Sequence, residues 1–183
     1  MTRRTASALA LLLVVAVAAI AWITLDVTRD DPDFETSTAR GDMCVPFNGR
    51  DWTYGEVILD NKGSTPITMV DVEPIDVTKL AITDAKVVTP REDRKGVGNW
   101  EGWPPSAEFW RQPVDFHGAV IPVGQYRSLM LRVDAEGPGA GFRRILLEYE
   151  RERRTYRAAT NRSLSILDDC GSDWTPVASA IDE

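Results

Sequence analysis

Histidine and cysteine are nearly missing: the 183 residues include one His and two Cys. That scarcity removes most of the chemistry a sequence can advertise. His117 with Met43, Met69 and Met130 is too sparse a set for an exported copper carrier, which needs denser soft ligands. No C-x-x-C pair stands ready to hold zinc or run redox chemistry. No Gly-x-Ser-x-Gly or Ser-x-x-Lys pattern accompanies the serines, and the one histidine has no recognisable partner for nucleophilic catalysis. Asp71, Asp76 and Asp84 lack the spacing of a calcium loop. Carboxylates are plentiful, with 28 Asp plus Glu, so a pair suited to glycoside hydrolysis could be drawn anywhere and carries no information. The expectation is a non-enzymatic protein with no cofactor and no metal.

Helical periodicity is also scarce after the N-terminal segment, apart from a turn or two over Ser106-Ala107-Glu108-Phe109-Trp110. An α/β nucleotide-binding architecture is therefore excluded. Internal repeats and low-complexity tracts are lacking as well. Hydrophobic residues at 43% and charged ones at 27% are ordinary for a globular chain, and the length suits one domain.

Charge is missing altogether from Ala6 to Leu25. At ~1.5 Å per residue these twenty positions cover about 30 Å as a helix, the thickness of a bilayer's hydrocarbon core. Arg3 and Arg4 precede the run, whereas Asp26, Asp30, Asp31, Asp33 and Glu35 follow it, so the N-terminus should stay cytoplasmic and the rest should lie outside the cell membrane. Residues 1–27 are thus expected to be a single-pass transmembrane anchor. The alternative is a signal segment cut at Ala16-Val17-Ala18 or Ala19-Ile20-Ala21, leaving a secreted protein. The anchor is preferred because the run exceeds a signal core of about 7 to 15 residues and Trp22 lies near its outer end. No cysteine precedes Cys44, which excludes a lipidated N-terminal cysteine.

Of the 21 basic residues two precede the apolar run, leaving 19 against 28 acidic side chains in the exported part. That balance disfavours nucleic acid, and anionic lipid as a general partner. Residues 28–43 are polar and read as a stalk. Residues 171–183 read as a frayed tail. Cys44 and Cys170 bracket what lies between. In an exported chain they should form one disulfide. Its loop of about 125 residues corresponds to on the order of 4 to 5 kcal/mol in the chain-entropy model.

Within 44–170 short alternating runs separated by turn residues predict an all-β domain, an immunoglobulin-like sandwich of about seven strands, with a small closed barrel as the competitor. Thr53–Asp60 and Ile67–Val72 should form a hairpin through Asn61-Lys62-Gly63. Leu80–Val88 follows as a third strand. In Arg127–Val133 the side chains of Leu129, Leu131 and Val133 should be buried, with Ser128, Met130 and Arg132 on the opposite face. Ile145, Leu147 and Tyr149 repeat that pattern, and Tyr156–Ala158 and Leu164 with Ile166 complete the set.

The anchor, the short stalk, the Asn61-Lys62-Gly63-Ser64-Thr65-Pro66 loop, the Trp103-Pro104-Pro105 loop and Thr160-Asn161-Arg162-Ser163-Leu164 before Cys170 together resemble uncharacterised bacterial membrane-anchored proteins with an immunoglobulin-like exported domain. The resemblance covers most of the chain. It implies a fold and a location and brings no activity.

Thr89 to Gly118 is the most unusual stretch, with Trp100, Trp103, Phe109, Trp110 and Phe116 among glycines and prolines. It holds half of the six tryptophans. The rings could pack on one end of the sandwich as a satellite core. They could also bind an envelope protein or peptide partner, or stack on a glycan. Trp100, Trp103, Phe109 and Trp110 are the candidate binding residues. Arg143, Arg144, Arg151, Arg153, Arg154 and Arg157 interleave with Glu148, Glu150 and Glu152 as expected of a solvated hairpin, or of a dock for an acidic partner. Arg40-Gly41-Asp42 spells an adhesion tripeptide and Asn161-Arg162-Ser163 a glycosylation sequon; both are short enough to arise by chance. The expected function is a membrane-anchored binding or accessory module. A structural or assembly subunit of an envelope complex is the alternative, since Ala6, Ala10, Val14, Ala18 and Ala21 share a helix face; a metal or solute carrier comes third.

Overall fold

The computed structural model describes residues 31–36, 41–49, 51–91, 96–171 and 173–177. The expected anchor lies outside these residues, as do positions 28–30 and 37–40 of the expected stalk and positions 172 and 178–183 of the tail. Among the described residues no helix is long and apolar enough to cross a membrane.

Every named element is a strand: β1 (Phe34–Glu35), β2 (Gly41–Pro46), β3 (Trp52–Asn61), β4 (Ile67–Ile75), β5 (Leu80–Pro90), β6 (Gly98–Glu101), β7 (Trp110–Asp115), β8 (Val120–Ile121), β9 (Gln125–Ala135), β10 (Ala140–Phe142), β11 (Arg144–Arg151), β12 (Arg154–Ala159) and β13 (Arg162–Leu167). The fold is all-β with three sheets. One runs β1-β3-β9-β5-β7, with β6 also paired to β3; a second runs β10-β13-β2 and a third β12-β11-β4-β8. All pairings are antiparallel except β13 with β2. Among the described residues thirteen strands stand where about seven were expected, because short edge strands such as β1, β6, β8 and β10 are too brief to show alternation in the sequence.

Period-two patterning puts Leu129, Leu131 and Val133 of β9 into the core, beside Tyr54, Val57 and Leu59 of β3. Facing them from the other sheets are Ile67 and Met69 of β4, Ile145, Leu147 and Tyr149 of β11, Phe142 of β10, and Leu164 and Ile166 of β13. Each such side chain contributes about 1.5–3 kcal/mol by leaving water. Tyr54 meets Phe142 edge-on at 5.3 Å between centroids.

The expected hairpin of β3 with β4 does not form. β3 pairs with β1, β6 and β9, whereas β4 pairs with β8 and β11. The cause is Asn61, which is fully buried. Its amide donates to the carbonyls of Thr65 and Ile121, both at 3.0 Å, and its Oδ1 accepts from the Gly63 N–H at 3.1 Å. The loop wraps that side chain and hands β4 to another sheet. The tight hairpin is β11 with β12, where Glu152 and Arg153 both adopt positive φ, at 52° and 68°, as a type I′ turn requires.

Residues placed in the stalk by their polarity join the fold. Phe34 of β1 is buried, and Asp42 accepts a 2.6 Å bond from the Ser163 hydroxyl. Arg151, grouped with a solvated cluster, is also buried. It pairs with Asp31 at 2.9 Å and donates to Asn61 Oδ1 at 2.8 Å. Gly63 makes room for it: a Cβ there would lie 2.7 Å from the guanidinium. Cys44 and Cys170 are disulfide-bonded, with Cα atoms 5.7 Å apart.

Candidate functional site

The stretch from Thr89 to Gly118 folds as a strap. β5 ends at Pro90, and the next described strand of the chain, β6, pairs with β3 on the far side of β9. The chain then returns to lay β7 against β5. Val97, Trp100, Trp103, Phe109 and Trp110 therefore lie over the outer face of the largest sheet.

Val88 and Met130 point to that outer face, opposite in phase to Val87 and Leu129, and both are fully buried. With Val97 they form a second apolar cluster, against which Trp100, Trp103, Phe109 and Trp110 pack. Met130 and Ser128, on the face opposite Leu129 and Leu131, are thus covered; alternation alone could not reveal that both faces of β9 have a lid. Gly55 permits the close passage, since a Cβ there would stand 2.5 Å from the Gly98 carbonyl oxygen. A bulge in β3 after Tyr54 turns the Gly55 carbonyl toward the strap, where it accepts from the Val97 N–H at 3.2 Å.

All four candidate residues come together here, each half-buried. Trp100 and Phe109 stack at 4.1 Å with 16° between planes. Each indole N–H is satisfied within the domain: Trp100 donates to the Val97 carbonyl at 2.8 Å, Trp103 to the Asp84 carboxylate at 3.2 Å and Trp110 to the Pro105 carbonyl at 3.2 Å. With those donors engaged internally, the exposed parts of the indoles offer apolar carbon. The expected helical turn is a single tight turn, closed by the Phe109 N–H on the Ser106 carbonyl at 3.2 Å. Phe116 leaves the group and joins the main core. Lys86 bonds Asp115 at the strap's return strand, which lowers the pKa of Asp115 and raises that of Lys86.

No family model, curated protein or solved structure matches the chain. The site stands on its geometry alone.

The remaining candidates are dispersed. Met69 sits in the main core and Met130 in the second cluster, while Met43 contacts the Asn99 amide. His117 bonds the Val70 carbonyl through Nδ1 at 2.6 Å. Asp71 binds its neighbour's N–H at Val72, Asp76 lies 3.8 Å from Arg143, and Asp84 serves Trp103. Arg157 pairs with Glu148 at 2.9 Å, as a cross-strand pair should.

Proposed function

We propose that this chain is a membrane-anchored extracytoplasmic binding or accessory module, an immunoglobulin-like β-sandwich displayed on the outside of the cell membrane and without catalytic activity of its own. The largest sheet facing the other two across one core supports the sandwich reading. The uncharged run Ala6–Leu25 behind Arg3 and Arg4 supports the anchor, and a disulfide suits an oxidising compartment.

The observation that carries the binding role is the strap. Four aromatic side chains are braced on a second apolar cluster outside the main core, with their polar edges engaged internally and carbon faces half-open to solvent. Rigid aromatic surface of this kind is what binding hot spots use. The ligand class it fits is an envelope protein or peptide with an apolar side chain to lay on the rings.

Photocrosslinking in intact membranes tests this, with the full chain carrying a photoreactive residue at Glu108. We expect a discrete adduct that disappears in Trp103→Ala and persists in Val77→Ala, at matched thermal midpoints. An adduct unaffected by Trp103→Ala in a folded protein would leave the strap as a cap only.

A further inference from the structure

The pole of the domain nearest the N-terminal run is assembled from five chain segments, and their pairings fix its composition. Asn61 pairs with both Phe34 and Gln125, and its carbonyl accepts from the Gly124 N–H at 2.8 Å. The Lys62 N–H reaches the Asp33 carbonyl at 2.8 Å. Thr68 pairs with both Val120 and Glu150, and Arg151 with Arg154. The start of the described chain, the β8–β9 turn and the tip of the β11–β12 hairpin therefore share one end.

That end is apolar where it should be wet. Among the described residues five large hydrophobic side chains are exposed, and Val120, Val123 and Tyr126 fall within seven positions of one another here, at 54%, 45% and 41%. Tyr126 borders a shallow depression of about 240 Å³ lined by Thr89, Pro90, Gly124, Gln125 and Arg127. Charge is balanced locally. Lys62, Arg127, Arg151, Arg153 and Arg154 stand against Asp31, Asp33, Glu35, Asp60, Glu150 and Glu152, in a domain that is acidic elsewhere. An anionic leaflet would repel the rest of the surface more than this end.

The tether decides the occupant. Asp31 is fixed by Arg151 at 2.9 Å, and only residues 26–30 separate it from Leu25. The six steps from Leu25 to Asp31 reach at most about 22 Å even when fully extended. The headgroup layer takes roughly 5 to 7 Å of that. The eleven residues of β9 span about 36 Å, so the tether is shorter than the domain and its attached pole cannot leave the membrane's vicinity.

We propose that this pole lies against the bilayer surface, with Val123 and Tyr126 entering the headgroup layer and Arg153 and Arg154 beside them. Tyrosine suits such a boundary because its ring is apolar and its hydroxyl wet. The proposal rests on the anchor reading above. It orients the strap: Pro90 and Trp110, paired with each other, lie toward the Tyr126 end, and Trp100 and Glu101 lie toward the end of β3 away from the membrane.

The test uses the full chain in vesicles of phosphatidylcholine with phosphatidylglycerol, spin-labelled at Val123→Cys, Arg153→Cys or Val77→Cys, the native cysteines being bonded to each other. Retention of the protein in vesicles after alkaline carbonate reports the anchor. With retention established, labels at 123 and 153 should collide severalfold more with lipid-soluble oxygen, relative to a water-soluble nickel chelate, than the label at 77. Equal ratios at all three positions in retained protein overturn the docked pole and leave the anchor standing. Loss of the protein to carbonate overturns both. Matching thermal midpoints among the three labelled proteins establish that the labels report position rather than unfolding.

Discussion

Arg151 holds Asp31 from 120 positions away, guanidinium Nη1 to carboxylate Oδ1 at 2.9 Å, with side chains only 9% and 4% exposed. The pair ties the first described residues of the chain to the tip of its only type I′ hairpin among the described residues. Tyr149 adds its hydroxyl to Asp31 at 3.3 Å, and Asn61 takes the second guanidinium nitrogen.

A buried pair is costly to break and cheap to replace. Asp31→Ala removes the buried carboxylate and leaves the guanidinium only the 3.6 Å ion pair with the exposed Asp33, which should lower unfolding free energy by up to ~3–5 kcal/mol. Adding Arg151→Met to that variant should restore most of the loss. Denaturant titration of the single and double variants measures both, and an additive double variant would show that the pair is not coupled.

The strap and the main core should respond to different substitutions. Met130→Ala removes the support beneath Trp100 and Trp110 and should cost ~2–5 kcal/mol, with indole emission shifting toward that of wet tryptophan in the folded protein. Leu131→Ala, on the opposite face of the same strand, should destabilise by a similar amount while leaving indole emission in place. Fluorescence at low denaturant separates the two.

Which strands were legible depended on whether the strand itself carries alternation. β9 and β11 carry clean alternation, and the residues it placed inward are buried. β7 reads Trp-Arg-Gln-Pro-Val-Asp and is exposed over nearly its whole length; it is a strand because β5 offers it an edge, which no local pattern encodes. Asp31, Arg151 and Asn61 were assigned to solvent or to a turn by residue type, since nothing local signals that three polar groups will satisfy one another at long range. The aromatic strap was visible as a unit. Its landing place was not, because that depends on the outer face of a sheet whose strands had first to be ordered.

Alkaline stability should be limited by two phenols. Burial raises the pKa of Tyr54 and of Tyr149 above the ordinary 10.0, with Asp31 adding to the effect at Tyr149. The unfolded chain gives up these protons near 10 and the folded domain keeps them. The stability they contribute is therefore complete below pH 10 and is lost as the pH rises above it. Two tyrosines should ionise only in the same transition as loss of the β-sheet circular dichroism signal. The Tyr54 hydroxyl is buried with no hydrogen-bond partner among the described residues, so Tyr54→Phe should be neutral or stabilising and should move that transition upward.

Reduction should weaken the fold by several kcal/mol. Cys44 and Cys170 are 126 positions apart, and a loop of that length corresponds to ~4–5 kcal/mol of lost unfolded-state entropy. Native mass spectrometry should find no free thiol, and urea midpoints with and without reductant should differ by the corresponding amount. Coincident midpoints would mean that β2 and β13 are held by their pairing alone.

The parallel alignment of β2 with β13 sets a timetable for the chain's own birth. Asp42 and Ser163 are 121 positions apart, so β2 is synthesised early and has no neighbour until nearly all of the domain has emerged. Contacts of such long range close slowly. A polypeptide that cannot finish folding until its last strand appears stays open through most of its synthesis, with that strand and the disulfide closing it last.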